Sequence, residues 1–305
     1  MKLISNQQVA ELITAEDSIQ AMREAFRSME QGAQQARVRT TAAGVMLSTM
    51  GAIVPGAKVA GTKVYTTING KFQFVIVLFS SETGQPLASI EADTMTAFRT
   101  AAATAVATDA LARTDAATLS VIGTGVQARS HIEALLKVRD FQQILVSGRS
   151  IPLEFAEQIK ALTGVATKAV VMPDAVAGAD VLVTATRAQT PLFAGELLPK
   201  GVFVAAVGAS KATVRELDDA AIARAAAIVV EWKLQAQQEA GDLVMCAPGT
   251  FDWGKVSELG QALNGTMDYS ARPDDIVIYK SIGVGLEDIA MAGMVYRKAC
   301  QKYGW

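Results

Sequence analysis

The stretch Thr118-Leu119-Ser120-Val121-Ile122-Gly123-Thr124-Gly125-Val126-Gln127-Ala128 decides the fold. Its first five residues form a short β run. The next six match Gly-x-Gly-x-x-Ala, and a helical pattern follows through about Val138. A strand that runs into this motif, with a helix leaving it, is the context the motif needs to bind a dinucleotide. Gly123 permits the tight turn, Gly125 lets the backbone approach a pyrophosphate, and Ala128 lets helix and strand pack closely. The helix N-terminus offers free N–H groups and the positive end of its dipole to phosphates. The plain alternative is a glycine-rich turn with no ligand. The strand–helix texture on either side favours the cofactor.

Downstream the alternation continues. Strands are expected at Ile144–Ser147, Val165–Val171, Val181–Thr186, Val202–Gly208, Ala227–Glu231 and Ile276–Lys280, with a Pro-initiated helix at Pro152–Leu162. Such alternation builds a mainly parallel sheet wound by helices on both faces. Upstream the texture differs. Residues 15–30 place Ile19, Met22, Ala25, Phe26 and Met29 at helical spacing. Val59–Thr67 and Phe72–Phe79 are strand-like and flank Asn69-Gly70, a strong hairpin signal. Glu91 to about Arg113 reads as one long helix, and a closing helix runs from about Glu287 to Gln301. The expected class is α/β: a Rossmann-type doubly wound sheet over 114–284, plus an α+β domain from 1–113 and 285–305.

The end of the second strand, Ser147-Gly148-Arg149-Ser150, speaks to which dinucleotide binds. NAD sites usually place a carboxylate there for the ribose 2′-hydroxyl. This sequence has none. Arg149 suits a 2′-phosphate, with Ser147 and Ser150 adding donors. NADP(H) is the expected cofactor, with NAD(H) the alternative.

Composition excludes several classes. With 28 Lys+Arg against 30 Asp+Glu, the chain has no electrostatic footprint for nucleic acid. No apolar run reaches the roughly 20 residues that cross a bilayer. The N-terminus lacks the apolar core of a signal peptide. The single histidine, His131, rules out a multi-histidine zinc site and reads as structural, and no metal is expected. Cys246 and Cys300 read as free thiols of a cytoplasmic protein.

Two further motifs point to a family. Gly61-Thr62-Lys63 lies on a strand and Phe98-Arg99-Thr100-Ala101-Ala102 on the long helix. With Gly-Thr-Gly-Val-Gln-Ala, and with Ser281-Ile282-Gly283 followed by Glu287-Asp288, the chain resembles the ornithine cyclodeaminase/mu-crystallin family along essentially its whole length. The resemblance implies a Rossmann domain paired with a substrate and dimerisation domain, a homodimer, and small amino or cyclic imino acids as substrates. It also implies that Arg39, Lys63 and Arg99 hold the substrate carboxylate, with Arg37 a competitor for the Arg39 role. Arg99 sits among Ala97, Ala101 and Ala102, so burial is expected, and a buried guanidinium needs an anion. Glu91 or Asp93 would supply one if the role were structural.

The resemblance departs at Ala206-Val207-Gly208-Ala209-Ser210. Ornithine cyclodeaminases carry Asp where Ser210 stands, and a serine hydroxyl is a poor base without an activating partner. With Arg215-Glu216-Leu217-Asp218-Asp219, this run looks like the mu-crystallin branch, which reduces cyclic ketimines. The expected activity is NADPH-dependent reduction of Δ1-pyrroline-2-carboxylate or Δ1-piperideine-2-carboxylate, with Lys63 and Ser210 as catalytic candidates. The alternatives are a cyclodeaminase, an alanine dehydrogenase-type enzyme and a non-catalytic NADPH-dependent ligand-binding protein. Thr184, Thr186, Val207, Ser281 and Gly283 are expected to border the ribose and nicotinamide. Glu239 and Asp242 flank Gly241 in an expected mobile loop, and Asp218-Asp219 read as a helix N-terminal pair.

Overall fold

Alternating apolar residues build an antiparallel sheet in the first part of the chain. The computed structural model describes all of residues 1–305. The elements begin with β1 (Lys2–Ile4), α1 (Asn6–Leu12), α2 (Ala15–Arg27), β2 (Ala33–Ala42) and β3 (Val45–Val54). They continue with β4 (Val59–Ile68), β5 (Lys71–Ser80), β6 (Pro86–Glu91) and α3 (Asp93–Leu111). The sheet order is β1-β6-β5-β4-β3-β2, antiparallel except for the β1–β6 edge. Asn69 and Gly70 both take positive φ in the β4–β5 turn, as a tight hairpin requires. β1 and α1 lie outside the expected elements, being too short for periodicity to stand out. Capping boxes at Ser5/Gln8 and Thr14/Asp17 start α1 and α2.

One face of this sheet packs against the C-terminal helix, Gly285–Tyr303. Cross-strand partners Met50, Lys63, Ile76 and Ile90 form a single row on that face, all at most 1% exposed. The opposite face carries Val38, Leu47, Ile53, Val75 and Phe79, all exposed.

The second unit contains β7 (Thr118–Ile122), α4 (Val126–Leu135), β8 (Gln143–Ser147), α5 (Leu153–Thr163) and β9 (Ala166–Ala169). Then come α6 (Met172–Ala177), β10 (Val181–Thr184), β11 (Phe203–Ala206), α7 (Asp219–Arg224) and β12 (Ala225–Val230). It closes with α8 (Lys233–Glu239), α9 (Gly241–Val244), β13 (Val256–Glu258), α10 (Leu259–Asn264) and β14 (Ile276–Lys280). All eight strands are parallel, in the order β13-β12-β14-β11-β10-β7-β8-β9. The winding runs outward from β7 both ways, through β8 and β9 on one side and β10 and β11 on the other. That reversal marks the dinucleotide crevice of such sheets. The strand interiors are Val, Ile, Leu and Ala, as a sheet covered on both faces requires.

The two units are Met1–Ala103 with Gly283–Trp305, and Thr104–Ile282. The division therefore falls inside α3, ten residues earlier than the helix end from which the sequence places it.

Candidate active site

In the first unit, Lys63 is 1% exposed and Arg99 6% exposed. Both charges are met by the C-terminal helix. Lys63 Nζ lies 2.9 Å from Asp288 Oδ1 and donates to Thr96 Oγ1 at 2.8 Å. Arg99 Nε reaches the same Asp288 oxygen at 3.2 Å, and its Nη1 donates to Glu287 Oε2 at 2.5 Å. Glu287 and Asp288 are themselves fully buried. The anions facing Arg99 are thus Glu287 and Asp288. Glu91 and Asp93 instead accept from Asn6 at the start of α1.

A β-bulge places the arginines. Before it, Gln35 pairs with Gly51; after it, Val38 pairs with Thr49 and Arg39 with Ser48. The extra residue shifts the phase of β2, so Arg37 and Arg39 turn to the Lys63 face instead of the opposite one. Arg37 Nε donates to Met50 Sδ at 3.2 Å, and its Nη2 to the Gly283 carbonyl at 2.8 Å. The face therefore gathers the cations Arg37, Arg39, Lys63 and Arg99 against the two carboxylates of Glu287 and Asp288. Asp288 Oδ2 is buried there without a hydrogen-bond partner. Phe74 forms a wall beside Lys63, its ring centroid 4.4 Å from Nζ.

The electrostatics differ between the two partners of the central pair. Burial pushes the Lys63 ammonium down to about 8 against the pull of Asp288, and the charges of Arg99 and Arg37 push the same way. For Asp288, burial opposes ionisation, but the charges of Lys63 and Arg99 and the Lys63 hydrogen bond outweigh it and hold the carboxyl below its ordinary value. The titratable proton of this site near neutrality therefore sits on Lys63.

The second unit holds the dinucleotide motif. The register aligns Ser147, Ile122, Thr184, Ala206 and Lys280 in one row at the carboxyl ends of β8, β7, β10, β11 and β14. Gly123 follows that row with φ +124°, where a Cβ would lie 2.5 Å from the Ala185 carbonyl. Thr124, Gly125 and Val126 are exposed, and space is open beside Gly125. No side chain caps the start of α4. Ser147 Oγ and Gln127 Oε1 are buried without partners. This cradle of open N–H groups and unpaired polar atoms fits a dinucleotide. Ala128 is buried, and Arg149 and Ser150 are exposed beyond β8.

The other expected cofactor residues are engaged differently. Thr184 Oγ1 and Thr186 Oγ1 donate to Glu216 at 2.8 and 2.6 Å. Ser281 Oγ donates to Glu231 at 2.6 Å. Val207 N donates to the Thr184 carbonyl at 2.9 Å, and Ser210 is half-buried beyond β11. Gly283 lies in the first unit, between Arg37 and Arg99. Asp242 is no part of a mobile loop: it is fully buried at the start of α9, paired with Lys280 at 2.9 Å. Glu239 is buried too, accepting from Gln235. Asp218 caps α7, accepting from Ala221 N. His131 is buried between Thr104 Oγ1 and the Gln127 carbonyl. Sequence reasoning missed the roles of Glu287, Asp288, Glu216 and Lys280.

The sequence profile of the ornithine cyclodeaminase/mu-crystallin family matches residues 1–303. A Δ1-pyrroline-2-carboxylate reductase from Bacillus cereus is 38% identical over 255 residues, 82% of this chain and 76% of its own. Among solved structures, a probable ornithine cyclodeaminase from Bordetella pertussis Tohama I superposes with a TM-score of 0.97 at 46% identity, covering 100% of this chain and 99% of its own. The Thermococcus litoralis Δ1-pyrroline-2-carboxylate reductase, in complex with NADH and L-proline, gives 0.94 at 28% identity, covering 99% and 98%.

Gly283 supports a direct test of the site's packing. Its φ is +73°, and a Cβ there would lie 2.7 Å from Arg99 Nη1. Gly283→Ala is expected to lose about 1–2 kcal/mol from backbone strain alone, read as a lower urea midpoint. An unchanged midpoint would show that neither the backbone strain nor the approach to Arg99 costs the fold anything.

Proposed function

The chain belongs to the ornithine cyclodeaminase/mu-crystallin family, and we propose that it reduces a five- or six-membered cyclic ketimine carboxylate with NADPH, forming proline or pipecolate. The observation that carries this reading is the gathering of Arg37, Arg39 and Arg99 around a buried Lys63, beside an Asp288 oxygen with no hydrogen-bond partner. Arg39 and Arg99 anchor the substrate carboxylate, joined by Arg37, in which bidentate guanidinium geometry suits the anion. Asp288 Oδ2 is the acceptor for the N–H that the ring gains on reduction.

The reaction adds a hydride to the imine carbon and a proton to the imine nitrogen, turning C=N into CH–NH. The nicotinamide, when bound, supplies the hydride. Gly123 to Ala128 would hold the dinucleotide's phosphates, and Ser147, Arg149 and Ser150 a 2′-phosphate. Val207, with the loops bearing Thr184, Thr186 and Ser281, would border the ring end. The chain supplies anchoring and the proton. Lys63 is the acid, since Asp288 stays ionised and has no proton to give. Asp288 and Thr96 aim Nζ, and Ser210 is assigned to the imine side. The serine at 210, where cyclodeaminases carry Asp, supports reduction over deamination. A second copy of this chain covers the exposed Val38, Leu47, Ile53, Val75 and Phe79 of the opposite sheet face.

The deciding assay is oxidation of NADPH and NADH with five- and six-membered ketimine carboxylates. NADPH is expected to give the higher kcat/KM, and Lys63→Met and Arg99→Lys to lose about a hundredfold in kcat/KM with NADPH affinity nearly unchanged. Ammonia release from ornithine without imine reduction would favour the cyclodeaminase; no turnover of any imine would favour a binding protein. Because the active Lys63 is protonated, kcat/KM should be flat at lower pH and fall as pH rises through about 8. The break in kcat should lie higher, since a bound carboxylate favours the ammonium. A profile that instead rises through that region would assign the proton elsewhere. Light scattering should give two copies for the native protein and one for Val75→Arg/Phe79→Arg; a native monomer would remove the dimer from this reading.

A further inference from the structure

The parallel-sheet unit buries a second charged set that the reaction does not use directly. Lys280 ends β14 in the register row that ends β11 at Ala206, and it is fully buried. Its Nζ donates to the carbonyls of Ala206 at 3.1 Å and Ala209 at 2.5 Å, and pairs with Asp242 Oδ2 at 2.9 Å. Asp242 Oδ1 accepts the backbone N–H of Glu216 at 2.7 Å and of Leu217 at 2.8 Å. Glu216 closes the set. Its Oε2 accepts from Thr184 Oγ1 at 2.8 Å and Gly208 N at 2.7 Å, and its Oε1 from Thr186 N at 2.9 Å and Thr186 Oγ1 at 2.6 Å.

Three buried charges thus tie together the loops leaving β10 and β11 with the end of β14. These are the carboxyl edges on one side of the crevice. A buried ion pair contributes little net stability, since desolvation offsets the Coulomb gain. Apolar side chains at both 280 and 242 would hold β14 about as well. What an apolar residue at 280 could not do is donate both to the last carbonyl of β11 and to the Ala209 carbonyl in the loop beyond it while its partner fixes the segment that carries Glu216.

We propose that Lys280, Asp242 and Glu216 form a positioning set that fixes the Gly208–Ser210 loop against the nicotinamide end of the cofactor, and so govern the hydride step without touching cofactor or substrate. This rests on the ketimine-reductase reading for its kinetic arm only. The set sits behind the loop, so its loss is expected to change how the ring is presented and to leave the phosphate cradle of α4 intact. It follows that Lys280 acts on kcat, whereas Gly125 and Arg149 act on cofactor binding.

The test compares Lys280→Met with the double variant Lys280→Met/Asp242→Asn. The single variant strands the Asp242 charge, and its melting temperature should fall. The double variant strands no charge at 242, the Glu216 carboxylate keeps its four donors from Thr184, Thr186 and Gly208, and the amide that replaces the Asp242 carboxylate keeps an oxygen for the backbone N–H groups of Glu216 and Leu217. Its melting temperature should therefore return close to native. Amide hydrogen exchange over Gly208–Ser210 should nevertheless quicken about tenfold in the double variant, because the Ala209 carbonyl has lost its donor. With the imine substrate, kcat should fall about tenfold or more, while NADPH affinity stays within about threefold. A double variant with native melting temperature, native exchange and native kcat would reduce the set to a structural one and overturn the proposal. So would a loss of cofactor affinity equal to the loss in kcat. If the native protein reduces no cyclic imine, the functional reading fails, and the exchange comparison alone decides: unchanged exchange overturns the positioning set, and faster exchange upholds it.

Discussion

One carboxylate oxygen, Asp288 Oδ1, faces both Lys63 and Arg99 in a place with almost no solvent. Two cations cannot be buried side by side on a sheet and a helix unless a third element brings their counter-charge. The C-terminal helix is that element. It also covers the inner face of the sheet, so the same docking that buries Met50, Ile76 and Ile90 completes the electrostatics. Packing and chemistry are inseparable here: the helix cannot shift along the sheet without stranding a charge.

The same constraint sets the protonation of the cluster. Arg37, Arg39, Lys63 and Arg99 share the face that Glu287 and Asp288 meet. Burial and the neighbouring guanidinium charges depress the Lys63 ammonium to about 8 against the pull of Asp288, so the cluster holds that proton loosely.

Much of this was legible in the residues. Gly123 to Ala128 announced the parallel-sheet unit because the motif has a mechanical meaning at one place in one topology. Asn69-Gly70 announced the hairpin because few pairs tolerate two positive φ values in succession. Arg99 stood out as a charge amid small neighbours, whereas Lys63 drew notice only through the family resemblance. The partners of those charges were not legible, since Glu287 and Asp288 lie more than 180 positions away and look like an ordinary acidic first turn of a helix. Choosing between Arg37 and Arg39 was beyond the sequence as well, because the bulge between Gln35 and Val38 sets which way both point, and Ala36 gives no sign of it. Asp242 read as a loop residue because Gly241 before it looks like a hinge; the chain packs that glycine tightly instead, its missing Cβ position lying 2.0 Å from the Val214 carbonyl. Lys280 closes an apolar strand, and nothing near it in sequence hints at a buried acid.

The route of the chain has a consequence for how the molecule is made. Lys63 and Arg99 are synthesised early, and Glu287 and Asp288 only after all of residues 104–282. Domains generally form as units during synthesis. The parallel-sheet unit is contiguous and can close as soon as it is complete. The antiparallel-sheet unit must wait, with its cations solvated and one sheet face uncovered, until the later helix emerges. Completion of the charged cluster therefore follows that of the parallel-sheet unit, and a ribosome-stalled intermediate would hold the glycine-rich cradle while lacking the two carboxylates that face Lys63 and Arg99.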